Sequence, residues 1–366
     1  MNVDYKLEHH FRPHKGWMND PNGLVSFKGK YHAFYQYVKE FEQPWHAPMT
    51  WGHAVTEDFL EWEELPVALF ADGEYDADGC WSGTAAVEND TLYLFYASVV
   101  GDGDGFKQTI SVAYSEDGIN FKKYKNNPVI KSFPPDGSKD FRDPAVIKLA
   151  EGDYRMVIAS GNPKKETGCL LIYESRNLLD WKYIGVMCEW KNSKYCECPS
   201  FVKSGDKFIL TTSVVRTDDS NFFTALYGEF DGRQFKAEIE SRFQKGPDQY
   251  AGQVFHDCNG RNILISWLPG WKYQNFAEKS IGCLSLPVEL NVIDGKIKAY
   301  PISEVRHLLK SDDDAVEIYN DGFILKRTLE DDVIYKGEIN DIKILRDKYI
   351  TEIFINEGEA IYSAVC

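Results

Sequence analysis

The hydrophobic positions of this chain fall into short runs rather than long helical patterns. The runs are rich in β-branched and aromatic residues, which favours strands. The predicted strands include residues 31–37, 91–98, 109–114, 154–160, 169–174, 208–214 and 262–267. Turn signals separate them at Asp117-Gly118, Gly152-Asp153, Gly205-Asp206, Asp231-Gly232 and Asn259-Gly260. Many short strands with polar turns predict an all-β protein built as a sandwich, a barrel or a propeller.

A weak repeat favours the propeller. Acidic or polar residues followed by an aromatic residue recur with the aromatic at Trp62, Phe121, Trp181 and Phe235, spaced by 59, 60 and 54 residues. Ile297, after a similar turn, extends the series by a further 62 residues. Units of roughly 55 to 60 residues with about four strands each predict a five-bladed propeller. The alternative is that such turns recur by chance.

A second series of residues runs in step with the first. Asp20, Trp81-Ser82, Asp143, Glu197 and Asp248 are separated by 61, 62, 54 and 51 residues. If this phase of the repeat lies on the innermost strands, these side chains converge on one end of the central channel. The series therefore predicts one site assembled from distant parts of the chain.

Composition narrows the set of partners. The chain has 41 Lys and Arg against 57 Asp and Glu, a net charge of −16, which disfavours nucleic acid and anionic membranes. Aromatic residues make up 14% of the chain. We expect most of them to pack in the core and a few to line a sugar-binding cleft.

The sequence predicts a cytoplasmic protein. Residues 1–15 are polar and charged, without the apolar stretch of a secretory signal, and no apolar run is long enough to cross a membrane. The eight cysteines have no repeating spacing and are interpreted as reduced thiols.

Two acidic segments place an aspartate directly before a proline. In the segment 17–23, Pro21 restricts Asp20 to an extended backbone and Asn22-Gly23 predicts a tight turn. Asp20 is a candidate nucleophile, or an acid that merely organises a loop. In the segment 141–144, the proline likewise fixes Asp143, and the adjacent Arg142 suggests either a site or a surface ion pair.

A third segment, 195–200, places Glu197 between two cysteines. A glutamate in semi-apolar surroundings suits a general acid, because desolvation favours its protonated form. A zinc site is the alternative, but a Cys-x-Cys pair without a second pair at ligand spacing is weak support for it.

In these segments the chain resembles glycoside hydrolase family 32, the β-fructofuranosidase group of invertases, sucrose-6-phosphate hydrolases, inulinases and levanases. Segments 17–23, 141–144 and 197–199 match the family's three acidic motifs in order. Further matches are Phe34-Tyr35-Gln36-Tyr37, Trp51-Gly52-His53-Ala54, Trp81-Ser82-Gly83, Gly246-Pro247-Asp248, Tyr250-Ala251 and Ser285-Leu286-Pro287. Together they cover about residues 9 to 305.

The resemblance implies a five-bladed propeller and a retaining mechanism. It implies that Asp20 is the nucleophile, Glu197 the general acid and base, and Asp143 the residue that holds fructose hydroxyls and stabilises the transition state. It further implies a fructose pocket lined by Asn19, Gln36, Trp45, Trp81 and Ser82, with Arg142 steadying the acids. Trp267 is a candidate further wall or a core residue, and the loop around Trp45 departs from the family's usual sequence.

Family members usually carry a C-terminal β-sandwich. Here residues 1–305 are predicted to form the propeller, and only the 61 residues 306–366 follow. We expect a reduced β module with strands at 333–335 and 349–355. The oligomeric state is left open.

No cofactor or metal is predicted. Residues 74–79 imitate a calcium loop, but Ala85 stands where a bidentate glutamate is needed. The expected activity is hydrolysis of sucrose, sucrose 6-phosphate or short fructo-oligosaccharides. The alternatives are a fructosyltransferase or difructose-anhydride hydrolase with the same acids, and a non-catalytic fructan-binding propeller.

Overall fold

The computed structural model describes residues 7–40, 48–101, 105–269 and 280–366, and these residues form strands joined by turns and short loops. The predicted strands are present, and so are the turns predicted between them. The described part of the chain contains no helix long and apolar enough to cross a membrane.

In the described part of the chain, twenty-two strands form five blades, which are antiparallel except where β19 joins β1. The first blade contains β1 (Gly16–Phe27), β2 (Lys30–Val38), β3 (Thr50–Thr56) and β4 (Glu63–Leu69). The second contains β5 (Gly79–Glu88), β6 (Thr91–Val100), β7 (Lys107–Ser115) and β8 (Lys122–Lys123). The third contains β9 (Phe141–Ala150), β10 (Asp153–Asn162), β11 (Thr167–Ser175) and β12 (Lys182–Lys191). The fourth contains β13 (Ser193–Ser204), β14 (Lys207–Arg216), β15 (Phe222–Phe230) and β16 (Phe235–Ser241).

The fifth blade closes the ring. It contains β17 (Tyr250–His256), β18 (Asn262–Leu268), β21 (Val288–Ile293) and β22 (Lys296–Pro301), with β20 (Cys283–Leu284) paired to β18. Just before β20, the short strand β19 (Ser280–Ile281) pairs in parallel with β1 and so links the last blade to the first. The first strands of the blades contact one another in a closed circle, β1 with β5, then β9, β13, β17 and β1 again. The five-bladed propeller is thereby confirmed.

The polar–aromatic repeat marks one equivalent turn in every blade. Its members lie between the third and fourth strands: β3–β4, β7–β8, β11–β12, β15–β16 and β21–β22. In the second blade, for example, Asp117 accepts hydrogen bonds from the backbone N–H groups of Ile119 and Asn120 in this turn. The repeat therefore reflects blade architecture and not chance.

Aromatic and aliphatic side chains fill the spaces between blades. Trp51 of the first blade packs with Tyr96 of the second, and Phe95 of the second shares a cluster with Phe141 of the third. Phe201 of the fourth blade packs in a cluster with Val157 of the third. As expected, most rings serve the core.

Residues 306–366, here called the C-terminal module, form two small sheets after a short 3-10 helix at Arg306–Leu308. The strands are β23 (Val316–Tyr319), β24 (Gly322–Leu325), β25 (Val333–Lys336), β26 (Ile342–Asp347), β27 (Ile350–Ile355) and β28 (Ala360–Val365). Phe323 and Ile353 lie in the cluster between the sheets, whereas Phe354 and Ile361 belong to the propeller's core. The expected reduced β module is present and packs on the propeller.

Each of the five innermost strands shifts its pairing register once in the segment that holds the predicted site residues. The shifts lie between Met18 and Pro21, Cys80 and Gly83, Arg142 and Ala145, Glu197 and Ser200, and Tyr250 and Gln253. The expected tight turn at Asn22-Gly23 is wrong. These residues remain inside β1, at a second register shift where Gly23 has a φ of +53°.

Candidate active site

A cavity of about 360 Å³ opens where the innermost strands shift register. Its walls contain all the described residues that were predicted to act in catalysis or to line the fructose pocket, namely Asn19, Asp20, Gln36, Trp81, Ser82, Arg142, Asp143, Glu197 and Trp267. Pro247, Gln249, Tyr250 and Pro269 complete the lining. Trp45 lies outside the described residues.

The register shifts are β-bulges, and they explain why a proline can lie one or two residues after Asp20, Asp143 and Glu197 within a strand. A proline has no N–H to give to a sheet, so inside a strand it is tolerated at an edge or a bulge. Pro21, Pro144 and Pro199 all lie at the register shifts. Such bulges turn side chains out of the regular alternation, here into the channel.

The backbone at the shifts is strained. Asp143 has a φ of +57°, Cys198 one of +48° and Ala251 one of +54°. The prediction of an extended backbone at Asp143 is wrong, because the bulge imposes the left-handed conformation there. Three strained non-glycine residues at equivalent points of neighbouring strands mark this end of the channel as a functional site.

A chain of neutral donors holds Asp20. The Ser82 hydroxyl donates to Asp20 Oδ2 over 2.6 Å, and Gln36 Nε2 donates to Ser82 Oγ over 2.6 Å. Asn19 Nδ2 donates to Gln36 Oε1 and lies 3.4 Å from Asp20 Oδ1. Burial raises the pKa of Asp20 to about 6, with the Ser82 hydrogen bond opposing the shift and the Glu197 charge adding to it.

Glu197 lies between a cation and a hydroxyl group. Arg142 donates to Glu197 Oε1 from Nη2 over 3.0 Å and from Nε over 3.2 Å, while the Tyr250 hydroxyl donates to Oε2. Burial and the neighbouring Glu197 charge raise the pKa of Tyr250, so its hydroxyl remains a donor. Besides its semi-apolar sequence neighbours, the Glu197 carboxylate therefore meets two donors that the sequence around it does not show.

Arg142 is buried and serves several acceptors, so the surface ion pair is wrong. It also donates to Asp140 Oδ1 over 3.1 Å, and its guanidinium lies 4.6 Å from the centre of the Tyr195 ring. Burial alone would lower the pKa of Arg142, but the charges of Glu197, Asp143 and Asp140 outweigh it and raise the pKa. Of the described residues that line the cavity, Arg142 is the one cation.

Asp143 and Asp20 lie on either side of Cys198. The Cys198 N–H donates to Asp143 Oδ2 over 2.8 Å, and its Sγ lies 3.6 Å from that atom and 3.5 Å from Asp20 Oδ2. Burial raises the pKa of Asp143 to about 7 against the effect of Arg142, with the charges of Glu197 and Asp20 adding to the rise. Burial also raises the pKa of the Cys198 thiol far above its usual value.

The fifth member of the series is not where it was predicted. Asp248 does not line the cavity; it bonds to Arg327 and to the backbone of Val365 in the C-terminal module. Tyr250 takes the fifth place instead, 53 residues after Glu197. The spacing could have indicated this, because Asp248 follows Glu197 by only 51 residues whereas the preceding interval is 54.

The site combines two carboxyl groups in different settings with an excess of negative charge. Asp20 is held by neutral donors, whereas Glu197 contacts Arg142 and Tyr250. Such a pair can divide the roles of nucleophile and proton donor, and uncompensated carboxylates favour a transition state that carries positive charge.

Comparison with known proteins places this arrangement in a family. The model of the glycosyl hydrolases family 32 N-terminal domain matches residues 10–301. A sucrose-6-phosphate hydrolase from Zymomonas mobilis is 36% identical over 326 residues, which cover 83% of this chain and 63% of that protein. A sucrose-6-phosphate hydrolase from Escherichia coli is 34% identical, with 82% of this chain and 65% of that protein covered. The chain thus spans less than two thirds of the length of these relatives.

Solved structures agree on the fold. A mutant β-fructofuranosidase from Bombyx mori in complex with sucrose superposes with a TM-score of 0.82 and 27% identity, covering 99% of this chain and 89% of that chain. A sucrose-6-phosphate hydrolase from Lactobacillus gasseri superposes with a TM-score of 0.84 and 22% identity, covering 100% of this chain and 88% of that chain.

Proposed function

This chain belongs to glycoside hydrolase family 32, and we propose that it is a retaining β-fructosidase. Its substrates would be the terminal, non-reducing β-D-fructofuranosyl units of sucrose, sucrose 6-phosphate or short fructo-oligosaccharides. The observation that carries this proposal is the convergence of Asp20, Asp143 and Glu197 from three blades on one cavity. The names of the relatives, which include a raffinose invertase and a levanase, support the substrate class.

In the first step, an oxygen of ionised Asp20 attacks the anomeric carbon of the fructosyl unit. The bond from that carbon to the glycosidic oxygen breaks, and protonated Glu197 gives its proton to the departing oxygen. The products are a fructosyl ester of Asp20, an alcohol and the Glu197 carboxylate. The Ser82 hydroxyl, 2.6 Å from Asp20 Oδ2, orients the attacking group.

In the second step, water replaces Asp20 at the same carbon. The Glu197 carboxylate takes a proton from the water, the ester bond breaks, and fructose leaves with its configuration retained. Arg142, 3.0 Å from Glu197 Oε1, stabilises the carboxylate form between the two steps. Asp143 accepts hydrogen bonds from fructose hydroxyls and offsets the positive charge of both transition states.

A substrate panel tests this proposal. Fructose release from sucrose, sucrose 6-phosphate, kestose and inulin is measured with the wild type and with Asp20→Asn. We expect cleavage of at least one of the smaller fructosides and loss of that activity in the variant. If no fructoside is cleaved, or if Asp20→Asn cleaves equally well, the proposal is wrong. Products formed at high sugar concentration separate hydrolysis from fructosyl transfer.

The proposed location is the cytoplasm. All eight cysteines lie in the described part of the chain and are free, which supports a reducing compartment. In such a compartment small, imported fructosides are the accessible substrates.

A further inference from the structure

The last strand of the C-terminal module pairs with a segment that leads into the cavity. The Ile361 N–H donates to the Phe243 carbonyl over 2.7 Å, and the Lys245 N–H donates to the Ile361 carbonyl over 2.8 Å. The Asp248 N–H then donates to the Ser363 carbonyl over 3.1 Å. This backbone pairing brings β28 directly beside residues 243–248.

The pairing is close enough to require a glycine. A Cβ on Gly246 would lie 2.2 Å from the backbone nitrogen of Ser363, which is far inside van der Waals contact. The backbone of the module and that of the propeller are therefore in direct contact here, without a layer of side chains between them.

A buried ion pair fixes the end of this segment. Arg327 Nη2 donates to Asp248 Oδ2 over 2.8 Å, and the two side chains are 6% and 13% exposed. Arg327 Nε donates to the Val365 carbonyl over 3.0 Å, and the Val365 N–H donates to Asp248 Oδ2 over 2.9 Å. Three bonds among three residues leave Asp248 little freedom to move.

Next to Asp248 the chain enters the cavity. Pro247 and Gln249 line it, and the hydroxyl of Tyr250 donates to Glu197. We propose that Arg327 is a positioning residue: by holding Asp248, it sets the wall formed by Pro247, Gln249 and Tyr250 and thus the contact between Tyr250 and the acid Glu197. This inference rests on the proposed β-fructosidase function.

If Arg327 positions the acid Glu197, its loss has an effect on catalysis that a general loss of structure does not have. A poor leaving group such as the glucose of sucrose needs a proton as it departs, whereas a nitrophenolate departs with little help. Loosening the wall around Glu197 therefore harms cleavage of sucrose more than cleavage of 4-nitrophenyl β-D-fructofuranoside.

The test compares Arg327→Met with Arg346→Met on these two substrates. Arg346 makes an ion pair of 3.1 Å with Asp313 inside the C-terminal module, so its loss is a control for removing an arginine ion pair of the module that does not involve Asp248. We expect Arg327→Met to lower kcat/KM on sucrose about 10-fold and on the nitrophenyl fructoside less than about 3-fold. Arg346→Met should leave both values within about 2-fold, and Arg327→Lys should restore part of the loss.

Asp248→Asn provides a second variant, because it keeps an oxygen for the Val365 N–H and removes only the charge. It should show the same selective loss on sucrose, and it decides the question if Arg327→Met fails to fold. Equal losses on both substrates, or no loss on either, would overturn the positioning role. If the wild type cleaves neither fructoside, the proposed function itself fails.

Discussion

Two clusters of buried carboxyl groups in this molecule differ in how their charge is balanced. One lies in the cavity and contains Asp20, Asp143 and Glu197. The other joins the N-terminal segment to the C-terminal module: His10 Nδ1 lies 2.9 Å from Asp347 Oδ2, and its Nε2 lies 2.9 Å from Glu352 Oε2. All three side chains of this second cluster are at most 1% exposed.

The second cluster is fully satisfied. Burial alone would lower the pKa of His10, but the hydrogen bonds that His10 donates to Asp347 and Glu352 outweigh it and raise the pKa to about 9. Burial would raise the pKa of Asp347, but His10 and the backbone N–H groups of Glu8 and His9 lower it to about 2. In the cavity the balance is reversed, and burial raises the pKa values of Asp20 and Asp143 to about 6 and about 7.

This difference in charge balance distinguishes a structural contact between two parts of the chain from a candidate reactive site. Asp347, which accepts hydrogen bonds from His10 and from backbone N–H groups, helps to hold two parts of the chain together, and its pKa lies far below neutrality. Asp20 and Asp143, which lie in a cavity with one described cation, have pKa values near the pH at which a carboxyl group can exchange protons or attack a carbon. The following predictions set one cluster against the other.

The largest expected effect is on turnover. Asp20→Asn and Glu197→Gln should each lower kcat/KM on sucrose by about 10³-fold or more, because the proposed nucleophile or the proposed proton donor is lost. His10→Leu should change the same value less than about 2-fold at a temperature where the protein is folded. An inactive His10→Leu that remains folded would contradict the separation of the two clusters.

The next effect is on stability. His10→Leu leaves Asp347 and Glu352 buried without their cation, so the free energy of unfolding should fall by about 3 to 5 kcal/mol. Urea unfolding at pH 7 measures it. His14→Leu is the matched control: His14 is 92% exposed and pairs with Glu64, so its loss should cost less than about 1 kcal/mol.

The sign of the pH dependence sharpens this prediction. Because the pKa of His10 is raised from 6.5 to about 9 on folding, its contribution is fully present below about pH 6.5 and is lost as the pH rises through 9. Wild-type stability should fall between pH 6.5 and 10, and His10→Leu should show a smaller fall. Equal falls in both proteins would assign the pH dependence to other groups.

For the cluster in the cavity, we expect mutation to have the opposite effect on stability. Since the pKa of Asp20 rises from 3.8 to about 6 on folding, its ionisation destabilises the fold as the pH rises from about 4 to above 6. Asp20→Asn should therefore stabilise the protein by about 3 kcal/mol at pH 8, with the gain disappearing near pH 4. Urea midpoints at the two pH values measure it, and a destabilised variant at pH 8 would contradict the prediction.

The smallest effect is on the pH profile of the wild type. Asp20 must be ionised to attack, so kcat/KM should fall about 10-fold per pH unit below about pH 6. Sucrose hydrolysis measured from pH 4 to 8 gives the profile. A value that stays constant down to pH 4 would mean that Asp20 is ionised much more easily than its burial implies.

The sequence was informative where local patterns determine the structure. Short strands, turn residues and the blade repeat predicted the propeller, and the proline after Asp20 and Asp143 drew attention to residues at bulges. The residue just before a proline was expected to be extended, but at Asp143 the bulge determines the backbone instead.

The family resemblance implied that Arg142 steadies the acids, but the residues alone did not predict the partners in such long-range contacts, for a physical reason. Arg142 and Glu197 are 55 positions apart, and His10 meets Asp347 across 337 positions. Only the closed ring and the docked C-terminal module bring these residues together. Asp248 and Tyr250 are two residues apart in the same segment, and the pairing with β28 decides which of them faces the cavity.

The central claim is that Asp20 forms a covalent fructosyl ester that a second molecule then opens from the same face. Sucrose cleaved in the presence of methanol tests this directly, because methyl fructofuranosides keep their anomeric configuration for analysis by NMR. Two displacements at the anomeric carbon predict methyl β-D-fructofuranoside as the product. Formation of the α anomer would show a single displacement and contradict the account.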